Sequence, residues 1–202
     1  MDPLATVDDL ATYLGVDEIS NEDQAELLLD IASSTIRDET GQQLTLVDDD
    51  EITMRGSWTR ELWLPQRPVT DVASITIDGA LIAGTAYKWT SEGRVTWYPG
   101  LGGRAAFDGP DWQEAGHWGG DSVLVGVVYS HGYEEIPANV KGICLELSKR
   151  AIRAPGSGEI ASESLGAYSV TYSRDAAQTL TTGEKHRLRA YKRKNATVLT
   201  CP

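Results

Sequence analysis

Few stretches of this 202-residue chain carry side chains in a spacing that could do chemistry. The four consecutive acids Asp48–Glu51 could attract a cation, but they lack the alternating ligands and the central glycine of a calcium loop. His117, His131 and His186 are scattered, without the cysteine or carboxylate spacing of a zinc site. We therefore predict no metal site and no bound cofactor.

The glycine-rich stretch 100–103 is not a nucleotide-binding motif. No strand-to-helix context is predicted around it, and the Gly-Lys-Ser/Thr ending of a P-loop is missing. The chain also lacks the Gly-x-Ser-x-Gly and His-Glu-x-x-His patterns of hydrolases and metalloproteases. Because catalytic groups can converge from distant positions, a small enzyme stays open as a minor alternative, but the sequence assigns no catalytic residue.

The first 41 residues predict two helices joined by a short connection. Thr6 caps the first helix, which ends at Gly15. Ser20 or Asn21 caps the second helix, which ends at Gly41. So short a connection favours antiparallel packing of the pair.

A third helix is predicted to begin at Pro137 and to end at the Pro155–Gly156 break. Its apolar residues recur at helical spacing, as they do in the first two helices. The three helices would share a bundle core: Leu10, Leu14, Leu28, Ala32, Ile36, Val140, Ile143, Cys144 and Leu147. In that core Cys144 would be an inert residue.

Between Ile52 and Tyr133 the apolar period changes to two, which is typical of strands. We predict an inserted β subdomain of five to seven strands, as a small barrel or sandwich. The acidic run Asp48–Glu51 would mark the solvated boundary in front of it. All six tryptophans lie in this insertion, mostly at strand positions that favour a core role. Trp112 and Trp118 fall in the long loop 100–120 and are candidates for a protein contact.

The last element is a short basic helix capped by Thr181 or Thr182. Its apolar stripe is narrow, so it needs a partner in its own subunit or in another, unless it is a frayed tail. Its candidate docking residues are Lys185, Arg187, Leu188, Arg189, Tyr191, Lys192, Arg193 and Lys194.

The formal net charge of −12 is distributed unevenly. Residues 1–51 hold 15 acids and 1 base, whereas residues 136–202 hold 5 acids and 11 bases. This pattern fits either two separately solvated faces or a bipolar subunit whose ends attract neighbouring copies or a partner. An acidic chain is a poor sequence-specific DNA binder, because affinity for duplex comes mainly from phosphate neutralisation. No apolar run reaches the ~20 residues that cross a bilayer, and the N-terminus does not read as a signal peptide.

The amino-acid sequences near the two ends of the chain indicate a protein family more specifically than their apolar periodicity does. The segments ATVDDLATYLGV (5–16), IPANVKGICLELSKRAIRAP (136–155) and SESLGAYSVTYS (162–173) resemble the head-to-tail adaptor proteins of tailed bacteriophages. The resemblance covers 4–41 and 136–194, and the middle of the chain does not contribute to it. The arm motif of the resemblance comprises Ser164, Leu165, Gly166, Tyr168, Val170 and Tyr172.

The resemblance implies an α+β architecture in four parts. A small helical bundle comprises residues 1–50 and 136–158, the inserted β subdomain spans 51–135, and an extended arm ending in the basic helix spans 159–202. The implied function is structural rather than enzymatic.

Adaptors of this kind form a ring, commonly dodecameric, beneath the portal protein, and they extend the DNA channel toward a stopper or tail protein. DNA would pass without sequence-specific binding, and no membrane is involved. The protein would be made in the host cytoplasm and reside in the virion at the head–tail interface. The alternative from a different class is a module that binds a glycan or host surface through the tryptophan-rich insertion.

Overall fold

The chain folds into two compact units, one mainly helical and one made of β-strands. The computed structural model describes residues 2–98, 117–153, 161–165, 168–172 and 179–193. The helical unit comprises residues 1–41 and 135–192, and the β unit comprises residues 42–134 and 193–202. The combination of helices and antiparallel sheets confirms the predicted α+β class.

Four α-helices form the helical unit within the described residues. They are α1 (Val7–Leu14), α2 (Glu22–Thr40), α3 (Ala138–Arg153) and α4 (Thr182–Leu188), the last followed by a 3₁₀ turn, Arg189–Tyr191. The Thr6 and Asn21 side chains cap α1 and α2 as predicted. Gly15 and Gly41 end these helices with left-handed φ angles of 73° and 65°, which glycine adopts without steric cost. None of the helices among the described residues is both long and apolar enough to cross a membrane.

The core of the helical unit lies where α2 packs on α3. Seven of the predicted bundle residues are buried: Leu10, Ala32, Ile36, Val140, Ile143, Cys144 and Leu147. Leu14 and Leu28 are only half-buried, at the margin of the core. Three buried residues with hydroxyl groups had not been predicted: Ser33, Thr40 and Ser148. Each hydroxyl donates to the carbonyl four residues earlier, which satisfies it within its own helix.

After α3 the described backbone forms a two-stranded antiparallel hairpin. Strand β8 (Ala161–Leu165) pairs with β9 (Tyr168–Tyr172), with Leu165 opposite Tyr168. Five residues of the predicted arm motif lie in these strands, and Gly166 lies outside the described residues. The segment is therefore extended in conformation, as its alternating pattern predicts.

The β unit contains seven strands among the described residues. They are β1 (Val47–Arg55), β2 (Glu61–Trp63), β3 (Val69–Ile77), β4 (Ala80–Leu81), β5 (Tyr87–Trp89), β6 (Arg94–Trp97) and β7 (Leu124–His131). They form a four-stranded sheet in the order β1-β7-β3-β4 and a three-stranded sheet in the order β2-β6-β5, with antiparallel pairing throughout. Alternate residues of β7 enter one apolar cluster that includes buried side chains from both sheets. This cluster is the core of the β unit.

The acidic run Asp48–Glu51 does not separate the two units, contrary to prediction. It lies within β1, and the boundary falls earlier, between Gly41 and Gln42. β1 is an edge strand of its sheet, so its outward side chains can stay in water, and charges on an edge discourage pairing with other chains. The register shifts between Val47 and Asp50, and Asp49 has a φ of 52°, which marks a bulge.

Candidate assembly surfaces

A buried carboxylate, that of Glu184, links helix α4 to helix α3. Thr181 and Glu184 form a capping box, in which the Thr181 N–H donates to Glu184 Oε2 at 2.7 Å. Arg150 Nη2, from α3, lies 3.0 Å from each oxygen of the same carboxylate. Glu184 is only 4% exposed. A buried carboxylate is tolerated only when its oxygens are satisfied, so this network fixes where α4 lies.

Several predicted docking residues are already used within this unit. Leu188 is fully buried, so it cannot contact another protein while α4 stays in place, contrary to prediction. Lys192 Nζ lies 2.5 Å from Glu39 Oε1 at the end of α2, and Lys185 Nζ lies 3.8 Å from Oε2. The hydrogen bond from Lys192 lowers the pKa of Glu39 below its usual value.

The other docking candidates differ in exposure. Arg187, Arg189 and Arg193 are exposed, and Tyr191 is half-buried. Lys194 lies outside the described residues. Arg187 and Arg189 therefore form the exposed basic surface of α4 and the 3₁₀ turn that follows it.

The described tryptophans of the β unit range from fully buried to largely exposed. Trp118, expected in a protein-contact loop, is fully buried. Its indole N–H donates to the Arg60 carbonyl at 3.0 Å, and its ring meets Trp97 edge-on with centroids 5.0 Å apart. The prediction was wrong because the residues that enclose Trp118 are distant in sequence. Trp112 lies outside the described residues.

Trp58 is the exposed tryptophan that sequence reasoning did not single out. It is 68% exposed, and its ring centroid lies 5.2 Å from that of His117. A Cβ atom at Gly120 would come within 2.2 Å of the Trp58 ring, so only glycine allows this approach. A large exposed indole held against the backbone is suited to a protein contact.

His131 and Asp50 form the pair that most resembles part of an active site. His131 Nε2 lies 3.1 Å from Asp50 Oδ2 across the β1–β7 pairing. Burial lowers the pKa of His131, and the hydrogen bond and charge of Asp50 oppose this shift. The imidazole is 2% exposed, so a substrate cannot reach it without opening the sheet. The pair therefore fits a structural role.

The remaining reactive groups are buried or dispersed. Burial raises the pKa of Cys144, whose sulfur lies 3.5 Å from the Ser33 hydroxyl, and a raised pKa makes the thiol a weak nucleophile. Cys201 lies outside the described residues. Within the described part of the chain, no three or more His, Cys, Asp or Glu side chains converge to hold a metal ion.

Comparison with known proteins identifies the family. The family model for head completion protein matches residues 3–106, which is more than half of the chain. The chain belongs to the head completion protein family. This family confirms the resemblance to head-to-tail adaptors, and the protein is a structural component of the virion. The matched stretch includes β1 to β6, so the middle of the chain contributes to the family pattern, contrary to expectation.

One of two similar solved structures shares the fold of this head completion protein. A chain in the structure titled "Neck of empty GTA particle computed with C6 symmetry" aligns with a TM-score of 0.53 at 12% identity, covering 94% of this chain and 90% of that one. A chain in "Virion of native gene transfer agent (GTA) particle" aligns with a TM-score of 0.42 at 16% identity, covering 71% and 74%. No curated protein matches the chain in sequence.

Proposed function

We propose that this head completion protein forms a ring of identical copies beneath the portal, and that this ring extends the DNA channel. The observation that carries the proposal is the family match, which includes α1, α2 and most of the β unit. The shared fold with a neck chain over 94% of the sequence supports it. That neck was computed with C6 symmetry, and a ring of twelve copies is compatible with a sixfold axis.

The charge of the chain suits a channel through which DNA passes without being bound. A net charge of −12 repels phosphate wherever acids line the channel, so DNA stays mobile. The exposed acids Asp48, Asp49 and Glu51 on β1 are candidates for such a lining. Portal contact would use the exposed cations Arg189 and Arg193, together with Lys194.

The β unit would contact a neighbouring copy or the next protein on the tail side, with Trp58 as its exposed anchor. The β8–β9 hairpin would serve as the extended arm of the family, and the two sheets around one apolar core fit a sandwich-like subdomain. A glycan platform is less well supported, because stacked sugars need several aligned exposed rings. Of the five tryptophans that the structure describes, only Trp58 is largely exposed.

The test is to mix the purified protein with the portal ring of the same particle and to measure particle mass, with negative-stain imaging of the product. We expect one added ring, coaxial with the portal, whose mass gives the copy number. An Arg189→Glu/Arg193→Glu variant should bind more weakly, because charge pairs at an interface rim steer association.

This double substitution is preferable to deletion of residues 181–202, which would uncover Arg150. Asp71→Lys, an exposed change of opposite sign in the β unit, is the control. Failure of the folded parent protein to join the portal would overturn the proposed function.

A further inference from the structure

The helical unit presents an acidic surface on the outer side of α2. Asp23 and Leu27 each lie nine residues before a buried residue, Ala32 and Ile36 respectively. Successive residues of an α-helix are rotated by about 100°, so residues nine positions apart lie on opposite sides of the helix. Asp23 and Leu27 therefore point away from the core. Leu27 is 59% exposed. By the same geometry, the exposed acids Asp23, Asp30 and Asp38 lie within about 60° of Leu27 around the helix axis.

The same unit presents a basic surface formed by α3 and α4. It comprises the exposed Arg153 and Arg187 and the half-buried Lys149, whose Nζ lies 4.9 Å from the centroid of the Tyr13 ring. The Tyr13 hydroxyl donates to Glu146 Oε2 at 2.6 Å, which raises the pKa of Tyr13. Arg187 lies about one turn after Glu184, which binds Arg150 of α3, so Arg187 is near the end of α3 that carries Arg153.

The two surfaces lie on opposite sides of the helical unit. α2 packs on the side of α3 that carries Cys144, whose sulfur lies 3.9 Å from the Leu29 carbonyl. Arg153 follows Cys144 by nine residues, so it lies on the other side of α3 by the same helical geometry. The acidic side of α2 and the basic side of α3 therefore face away from each other.

We infer that the acidic surface of one copy binds the basic surface of the next copy, head to tail. The occupant of each surface is a second copy of this chain, because the complementary charges are both present in one helical unit. In a twofold dimer the acidic surface of each copy would meet the basic surface of the other copy within a single interface. Both surfaces would then have to lie on the same side of the helical unit. Because the two surfaces lie on opposite sides, the same contact can instead be repeated from one copy to the next. Such a series of copies closes into a ring when the rotation between neighbouring copies allows it.

This inference rests on the proposed ring and assigns its contact. It moves Arg187 from the portal-docking set to the contact between copies. Leu27 and Tyr13 supply apolar area at the two surfaces, and the surrounding charges fix orientation and exclude the reverse pairing.

The test uses charge reversal on the full chain, followed by concentration-dependent sedimentation up to about 1 mM, where even weak association is detectable. The acidic-surface variant is Asp23→Lys/Asp30→Lys/Asp38→Lys, and the basic-surface variant is Arg153→Glu/Arg187→Glu. Either variant alone should associate at least about tenfold more weakly than the parent, because like charges then meet. An equimolar mixture of the two should associate again, because every contact in an alternating assembly is complementary.

The matched control is Asp71→Lys/Asp121→Lys/Glu134→Lys, at exposed positions of the β unit, which makes the same change in net charge as the acidic-surface variant. The control should change the dissociation constant by less than about twofold, because salt screens the interaction between exposed charges that are far apart. Circular dichroism verifies that each variant is folded. Association of both reversed variants at the parent level, or a mixture that stays dissociated, would overturn the inference. In the portal assay, a normal ring from the reversed variants would overturn this contact alone, whereas no ring from the parent would overturn the proposed function.

Discussion

The two units of this head completion protein hold themselves together by different means. The β unit encloses one apolar cluster, to which both of its sheets contribute. The helical unit has a smaller apolar seam, and its last helix is held by Glu184, Arg150 and Glu39 in addition to Leu188. Apolar burial depends little on salt and pH, whereas ion pairs depend on both. The comparison therefore predicts that the β unit is insensitive to salt, whereas the attachment of α4 to the helical unit depends on salt and pH.

The largest effect is expected from breaking the core of the β unit. Trp118→Ala should lower the free energy of unfolding by about 3–5 kcal/mol, because it leaves a cavity beside Trp97 and removes a buried hydrogen bond. Urea unfolding followed by far-ultraviolet circular dichroism measures this loss. Trp58→Ala is the matched control, and it should cost under about 1 kcal/mol because that ring is mostly exposed. Equal losses from the two substitutions would contradict the division into buried and exposed tryptophans.

A smaller and more local effect is expected at α4. Glu184→Gln removes a charged partner of Arg150, a loss of about 1.5–3 kcal/mol that is reduced by the partial exposure of the arginine. Amide hydrogen exchange should accelerate in residues 182–191 and stay unchanged in the strands of the β unit. Glu18→Gln, at an exposed position, is the control and should leave the exchange rates of both regions unchanged. Faster exchange throughout the chain would show that α4 supports the whole fold, which the comparison does not predict.

The smallest effect is a dependence of stability on pH in the β unit. Burial lowers the pKa of His131 in the folded chain, whereas the unfolded chain keeps a value near 6.5. The unfolded state therefore takes up protons first as pH falls, and stability that is fully present above about pH 6.5 decreases below it. While the folded imidazole stays neutral, the loss between pH 7 and pH 6 is about 0.7 kcal/mol.

The check is to measure how the free energy of unfolding changes with pH in the parent and in the His131→Asn variant. The parent should lose stability more steeply than the variant over this interval, because both share every other titrating group. Parallel curves would mean that His131 has the same pKa in the folded and unfolded chains.

Features that depend on near neighbours could be predicted from the sequence. The cap at Thr6 was identified, and those at Asn21 and Thr181 were each one of two predicted candidates. This was possible because each capping side chain bonds an amide only three residues away. The alternating residues of β7 likewise predicted a strand with one buried face.

Features that depend on distant residues could not be predicted. Trp118 stands in a glycine-rich stretch that reads as an exposed loop, yet it is covered by Trp97 and bonded to Arg60, 58 residues away. Glu184 reads as a solvated capping residue, and its burial depends on Arg150 in another helix. The pairing of His131 with Asp50 spans 81 residues. In each case the neighbouring residues in the sequence predict the backbone conformation, but they do not determine what surrounds the side chain.

The sequence by itself determined the α+β class, the ends of the first two helices, the uneven charge and the adaptor resemblance. These follow from short-range hydrogen bonding, from periodicity and from composition, which do not require the chain to be folded. Only the tertiary structure decided which side chains are buried and which charges remain for a partner. It assigned Leu188, Lys185 and Lys192 to contacts within the helical unit, and it placed the acidic side of α2 opposite the basic side of α3. The physical reason is that burial and charge pairing depend on distances between residues far apart in the chain, and folding alone sets those distances.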